Sequence, residues 1–330
     1  MSREPSSDTA MEVLVTGAAG FVGGHAVAAC RDTGRQVTGL DVRTPDRPST
    51  DLSSFVHGPS DDPGVLADLR AGRYGAVWHQ GAISSTLETD WDRLLRANVE
   101  QPLALAEAAA AGGAAFVYAS SHSVYGTIHE RVAVREGSEY DPTLCTGPLN
   151  RYAKSKLLLD ERMAREFGTD TAWAGLRYTN VFGSAEDHKG PMASIISQLL
   201  ARTARGEPLR VFADTLHASR DYVPVRTVTD TLCELLRHPV PSGVYNLGAG
   251  KAVSFATLLE WCAEFAGGRE ISVELIPNPI PDRYQYWTCA DQTKLVTALP
   301  TCPTATAATV RKAARQLYES FLPVGSDEPC

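Results

Sequence analysis

The sequence predicts an α/β fold in which helices cover both faces of a doubly wound parallel sheet. Two observations predict it. Short apolar runs alternate with longer Ala/Leu-rich helical patterns through the first half of the chain, an alternation that implies parallel strands joined by crossover helices. A glycine-rich turn, Gly17, Gly20 and Gly23, directly follows the first of those runs and opens a helix.

Taken in order, EVLVT (12–16), QVTGLDV (36–42), GAVWHQGA (75–82), AAFVYASS (114–121) and TAWAGLRYTNVFG (171–183) read as buried strands. Helical patterns fill 92–111 and 152–166. The second half is less regular. Helices are expected over 192–205 and 228–238, a strand and turn over GVYNLGAG (243–250), and a helix over 255–266. A Pro-rich connection (276–281) and a last helix (305–322) follow. This organisation predicts a Rossmann-type cofactor domain over 11–183, with 222–250 returning to it. A smaller, mostly C-terminal substrate-binding domain takes 184–221 and 251–322, and 1–10 and 323–330 read as tails.

Composition narrows the function classes. The chain has 330 residues, 43% hydrophobic and 21% charged, with a net charge of −8. That charge gives no reason to expect nucleic acid or an anionic membrane as partner. The seven cysteines form no CxxC pair, which fits reduced thiols and no metal site. No run approaches the roughly 18 apolar residues of a membrane span. The expectation is a cytoplasmic protein.

Glycines at 17, 20 and 23 suit a tight turn, close backbone approach to a pyrophosphate and close helix–strand packing, and the helix N-terminus receives the phosphate charge. The spacing is GxxGxxG, one residue longer than the usual dinucleotide fingerprint. Asp41 closes the second strand, where an acid meets the adenosine ribose and favours NAD. Arg43 lies two residues on and would favour NADP. Both cofactors remain open at this level.

NRYAKSKLLLDE carries Tyr152 and Lys156 on one helical face. A phenol is a poor base at neutral pH, its reference pKa being about 10. An ammonium about 4 Å away supplies roughly 4 kcal/mol at an effective dielectric of about 20, equal to up to about three pKa units. The expectation is therefore a lowered Tyr152 that exchanges protons with a substrate hydroxyl. Ser120 and Ser121 end the strand before it, at the sheet edge where ligands of open α/β folds bind.

With GAAGFVG (17–23), Asp41, HQGA (79–82), Ser121 four residues before Tyr125, and Tyr152/Lys156 in this order, the chain resembles the extended short-chain dehydrogenase/reductase family. The resemblance implies a tightly bound NAD or NADP and a nucleotide-diphosphate sugar as substrate. It carries the catalytic set onto Ser121, Tyr152 and Lys156. It also places the cofactor against Gly17, Gly20, Phe21, Val22, Gly23, Asp41, Arg43, Gln80, Gly81, Ala82, Asn98, Lys156 and Val181. Family members that dehydrate sugars have an Asp-Glu pair where this chain has His122 and Ser123, so dehydration is disfavoured. Relatives assemble as homo-oligomers.

RYTNVFGSAEDHKGPMAS (177–194), HQGAISS (79–85), SRDYV (219–223), YNLGAG (245–250) and DRYQYWTCAD (282–291) narrow the resemblance to the heptose 6-epimerase branch. That branch inverts an exocyclic carbinol by transient oxidation, with acid/bases on opposite faces, and puts the second at Lys189. His188 is expected to support it. ADP- or GDP-heptose-like sugars are the implied substrates, with contacts at Ser84, Ser121, Asn180, Gln198, Phe212, Arg220 and Tyr284. A salt bridge to Asp221 is the alternative for Arg220, core packing for Tyr284. Pro191, Gln198 and the run Phe212-Ala213-Asp214-Thr215 depart from the branch on the substrate side, leaving room for a different sugar. A nucleotide-hexose 4-epimerase and a non-catalytic cofactor-binding protein are the rival readings.

Overall fold

The computed structural model describes residues 12–44, 52–169 and 171–323; the expected tails fall almost wholly outside them. Strands run β1 (Glu12–Thr16), β2 (Val37–Asp41), β3 (Ser54–His57), β4 (Tyr74–His79), β5 (Ala115–Ser121), β6 (Trp173–Tyr178), β7 (Asn180–Phe182), β8 (Leu209–Phe212), β9 (Ser219–Pro224), β10 (Gly243–Leu247), β11 (Ala252–Ser254) and β12 (Val273–Ile276). The main helices are α1 (Phe21–Asp32), α2 (Pro63–Arg70), α3 (Trp91–Leu95), α4 (Gln101–Gly112), α5 (Arg151–Phe167), α6 (Ile195–Arg205), α7 (Val225–Arg237), α8 (Phe255–Phe265), α9 (Thr293–Ala298) and α10 (Ala307–Ser320).

Seven strands form one parallel sheet in the order β10-β6-β5-β4-β1-β2-β3. Strand order reverses between β4 and β1, the crevice where open α/β sheets bind ligands. Alternate residues of each strand enter two cores, because side chains alternate across a strand. Val13, Val15, Trp78 and Val117 pack with residues of α1, α6 and α7. Leu14, Val77, Phe116 and Tyr118 pack with residues of α2, α4 and α5. Each fully buried Val or Leu contributes on the order of 1.5–3 kcal/mol. The expected doubly wound α/β class is what the chain adopts.

Two expected elements differ. The run 171–183 breaks at Thr179, whose N–H donates to Leu247 O at 3.0 Å. Its second part, β7, leaves the main sheet for a three-stranded one of order β11-β9-β7. The helix expected over 92–111 is interrupted by a π-helical turn, Arg96–Glu100, between α3 and α4. Inserting a residue into the helical ladder re-aims side chains there, and Asn98 lies in that turn. The Pro-rich stretch remains a connection, and just before it β12 pairs in parallel with β8. β10 joins the main sheet beside β6, while β9 does not. Among the described residues no helix is long and apolar enough to cross a membrane.

Candidate active site

The β1–α1 turn is shaped by contacts that exclude side chains. Gly17 has φ +66°, and a Cβ there would lie 2.6 Å from Gly81 N. A Cβ at Gly23 would lie 2.0 Å from Gly17 O, so α1 can approach β1 only with glycine at this position. Gly23→Ala is therefore expected to cost about 1–3 kcal/mol of stability, the usual cost of overpacking. The displaced turn should also weaken dinucleotide binding at least about tenfold. Thermal melting and calorimetric NAD titration check both.

This turn forms one end of a cleft of about 590 Å³ at the strand-order reversal. Of the residues singled out from the sequence, Gly17, Gly20, Phe21, Val22, Gly23, Asp41, Arg43, Gln80, Gly81, Ala82, Ser84, Ser121, Tyr152, Lys156, Val181 and Lys189 all border it. Asp41 is buried, and its carboxylate accepts from Ala19 N at 3.0 Å and Arg43 N at 2.9 Å. The Arg43 guanidinium stands 3.8 Å from the same carboxylate.

Ser121 ends β5, and its hydroxyl accepts from Ser123 N at 3.2 Å. The Tyr152 phenol borders the cleft together with Ser121 and Lys156. Burial pushes that phenol above its usual range, with the Ser121 hydroxyl pulling the other way. The expected lowering by Lys156 is not found. Lys156 is itself buried and donates to Ala119 O at 2.7 Å, and burial lowers it to about 8 although Asp160 opposes.

Beneath the pair lies a buried ionic network that sequence reasoning missed. Asp160, one turn beyond Lys156, accepts from Tyr118 and Ser120 hydroxyls at 2.9 Å and from Arg177 Nε at 2.8 Å. Arg177 also donates to Glu139 at 2.8 Å and to the Tyr125 oxygen at 3.0 Å.

Lys189 enters from the turn before α6. Its Nζ lies 3.1 Å from Glu186 Oε2 and 4.8 Å from the centre of the Phe21 ring. The side chains of His188 and Pro191 lie outside the described structure.

Asn98, Asn180, Gln198, Phe212, Arg220 and Tyr284 do not border the cleft. Asn98 holds its wall from behind: its amide exchanges hydrogen bonds with Ile83 N (2.9 Å) and O (3.0 Å) and donates to Ser155 at 3.0 Å. Ser155 donates onward to Tyr152 O at 2.7 Å. Asn180 donates to Asp221 O and to Thr288, both at 3.1 Å. Gln198 donates to Ala193 O at 2.8 Å. Phe212 meets Tyr284 edge-on at 5.8 Å, and Arg220 stacks over Tyr284 at 4.7 Å.

The alternative of an Arg220–Asp221 salt bridge fails. Neighbouring strand residues point to opposite faces, and Asp221 instead accepts from Ala249, Ala290 and Gly250 N–H groups at 2.7, 2.9 and 3.2 Å. One terminal nitrogen of buried Arg220 has no hydrogen-bond partner among the described residues. His122 is buried, its Nε2 3.2 Å from Cys289 O, and burial lowers it to about 4. It is neutral at physiological pH and off the cleft wall.

The family model described as "NAD dependent epimerase/dehydratase family" matches residues 13–248. The chain belongs to that family. It is accordingly an NAD-dependent enzyme of the epimerase type, and the fold agrees with solved structures. ADP-L-glycero-D-manno-heptose-6-epimerase of Helicobacter pylori superposes with a TM-score of 0.80 at 25% identity, over 94% of this chain and 96% of that one. UDP-glucose 4-epimerase of Thermus thermophilus, in complex with NAD, gives 0.78 at 27% identity over 94% and 99%. MoeE5 in complex with UDP-glucose and NAD gives 0.76 at 28% identity over 93% and 97%.

The cleft fits the cofactor the family carries. Its glycine cradle has no room for a Cβ at Gly17 or Gly23, and Asp41 is fixed at the end of β2, where ribose hydroxyls need an acceptor. Gln80, on the cleft wall, keeps a buried Nε2 without a hydrogen-bond partner among the described residues.

Proposed function

We propose that this enzyme epimerises the exocyclic 6-carbinol of a nucleotide-diphosphate-linked heptose or related sugar, with Tyr152 and Lys189 as opposed acid/bases. The observation that carries it is that Lys189 borders the same cleft as Tyr152 and Lys156. Tyr152 removes the carbinol proton, with Ser121 orienting the phenol and Lys156 holding positive charge behind it. Bound NAD would supply the hydride acceptor and donor for this transient oxidation, and the ketone would turn its other face between the two transfers. Lys189 gives the new hydroxyl its proton, and the enzyme resets when one proton passes from Tyr152 to Lys189 through solvent. One phenol reaches one face only, so inversion at a freely turning carbonyl needs the second donor.

NAD is favoured over NADP because the Asp41 carboxylate would repel a 2′-phosphate, and Arg43 leans on that carboxylate. Tight retention of the cofactor follows from a cycle that leaves it unchanged. Arg220, a buried cation with a spare donor, would meet the diphosphate with its planar fork, beside Tyr284 and Phe212. A neutral, buried His122 where dehydratases carry an acid argues against water elimination. The cofactor and substrate parts expected from the sequence, a cytoplasmic setting and a homo-oligomer complete the reading.

Lys189→Ala should lower kcat on a 6-epimer pair by about 10²-fold, the low end of acid/base effects, while NAD stays bound. A 4-epimerase, which flips its sugar against one tyrosine, would not need the lysine. Assays of 4- and 6-epimeric nucleotide sugars side by side decide: wild-type turnover by Lys189→Ala, or turnover of the 4-epimers alone, would overturn the proposal.

A further inference from the structure

Glu186 is a buried carboxylate in the turn that delivers Lys189 to the cleft, and it collects five donors. Gly183 N donates at 3.2 Å, Lys189 Nζ at 3.1 Å, Ser194 N at 2.7 Å, Ser194 Oγ at 2.9 Å and Ser197 Oγ at 2.7 Å. The two serine hydroxyls each have one hydrogen, so with both aimed at Glu186 their mutual 2.8 Å contact is not a further donation. Ser194 also caps α6 by accepting from Ser197 N. The carboxylate therefore sits at the amino end of an 11-residue helix, where a negative charge is favoured. Four of the five partners are neutral; the ammonium of Lys189 is the one ion pair formed by Glu186 among the described residues.

We infer that Glu186 is a positioning residue for the second acid/base: it fixes the Lys189 ammonium at the cleft wall. The inference rests on the reading of Lys189 given above. A lysine side chain carries about 2 kcal/mol of rotamer entropy, and a misplacement of about 1 Å in a reacting group costs roughly 10²-fold in rate. With Glu186 at 3.1 Å and the Phe21 ring at 4.8 Å, Nζ has two restraints, one from its own turn and one from α1. An uncompensated buried charge is costly, and the four neutral donors cannot balance it.

A purely structural Glu186, tying the turn to α6, would have the same hydrogen bonds, so the test must separate the two roles. A double-mutant cycle with Glu186→Gln and Lys189→Ala does so, read as kcat and KM on the 6-epimer pair with bound reduced cofactor followed by absorbance. Glu186→Gln is expected to lower kcat about 10–10²-fold with KM within about twofold. It should accumulate reduced cofactor, because oxidation through Tyr152 proceeds and return from the opposite face stalls. Added to Lys189→Ala it should cost less than about threefold more, since residues that act through one another are not additive.

Additive losses, or a Glu186→Gln enzyme with wild-type kcat, would overturn the inference while leaving the Lys189 reading intact. Wild-type turnover by Lys189→Ala alone would remove the reading and the inference with it. If Glu186→Gln does not fold, Glu186→Asp, which keeps the charge and withdraws it by one methylene, completes the same cycle with the same expected and overturning outcomes.

Discussion

Tyr152→Phe is expected to lower kcat and kcat/KM together by about 10²–10⁴-fold, the range of acid/base effects, with the fold and bound NAD unchanged. The substitution removes one oxygen and leaves the ring in place. A parallel fall in both parameters marks an interaction made in the transition state. The pH profile sharpens the expectation. Burial holds the phenol above its usual range, so its base form grows with pH throughout the neutral range. Lys156, lowered to about 8, loses its supporting charge above that value. Wild-type kcat/KM should therefore rise with pH and flatten near pH 8, and in Tyr152→Phe the rising limb should vanish. Steady-state rates from pH 6 to 9 check this; an unchanged limb would assign it to another group.

What the sequence disclosed follows the range over which each signal acts. The turn at Gly17, Gly20 and Gly23 and the pair Tyr152/Lys156 are local patterns, since one turn or one helical face contains them whole. The buried strands were legible for the same reason, their apolar runs being continuous. Thr179 escaped because nothing within 171–183 reports that Leu247, from β10, takes its N–H. The β8–β12 pairing escaped likewise, joining segments such as Leu209 and Val273.

Charge was harder to read than fold. The spacing of Tyr152 and Lys156 is correct for mutual influence, yet spacing does not say where Nζ points. It donates to Ala119 O, a partner supplied by β5. Glu186 lies three residues before Lys189, a spacing at which helical neighbours meet, and that was the available signal. Its burial depends on Ser194 and Ser197 folding back over it. Arg177 and Asp160 stand in segments already recognised as strand and helix, but only the folded packing of α5 on the sheet makes them partners.

That network supports the other large expected effect. Arg177→Met should destabilise the protein by about 3–5 kcal/mol, the cost of removing one partner from a buried ion pair. Side-chain exposure is 1% for Arg177, 2% for Glu139 and 3% for Asp160, so neither carboxylate finds water when the guanidinium goes. Methionine fills similar volume, which leaves charge as the main loss. Burial already raises Asp160 above the usual carboxylate range, with Arg177 pulling it down; without Arg177 it rises further. A carboxyl whose folded value is raised contributes its stability below the unfolded value, about 3.9, and loses it as pH climbs through the folded value. The unfolded chain is common to both proteins, so the deficit of Arg177→Met should stand in full above the variant's further-raised Asp160 value and shrink as pH falls through it. Urea unfolding at several pH values measures this, and a deficit independent of pH would show packing rather than buried charge to be its source. The same substitution should reach the chemistry, because a protonated Asp160 no longer holds the Lys156 charge against burial. Turnover should then flatten at a pH below the wild-type value while the enzyme remains folded.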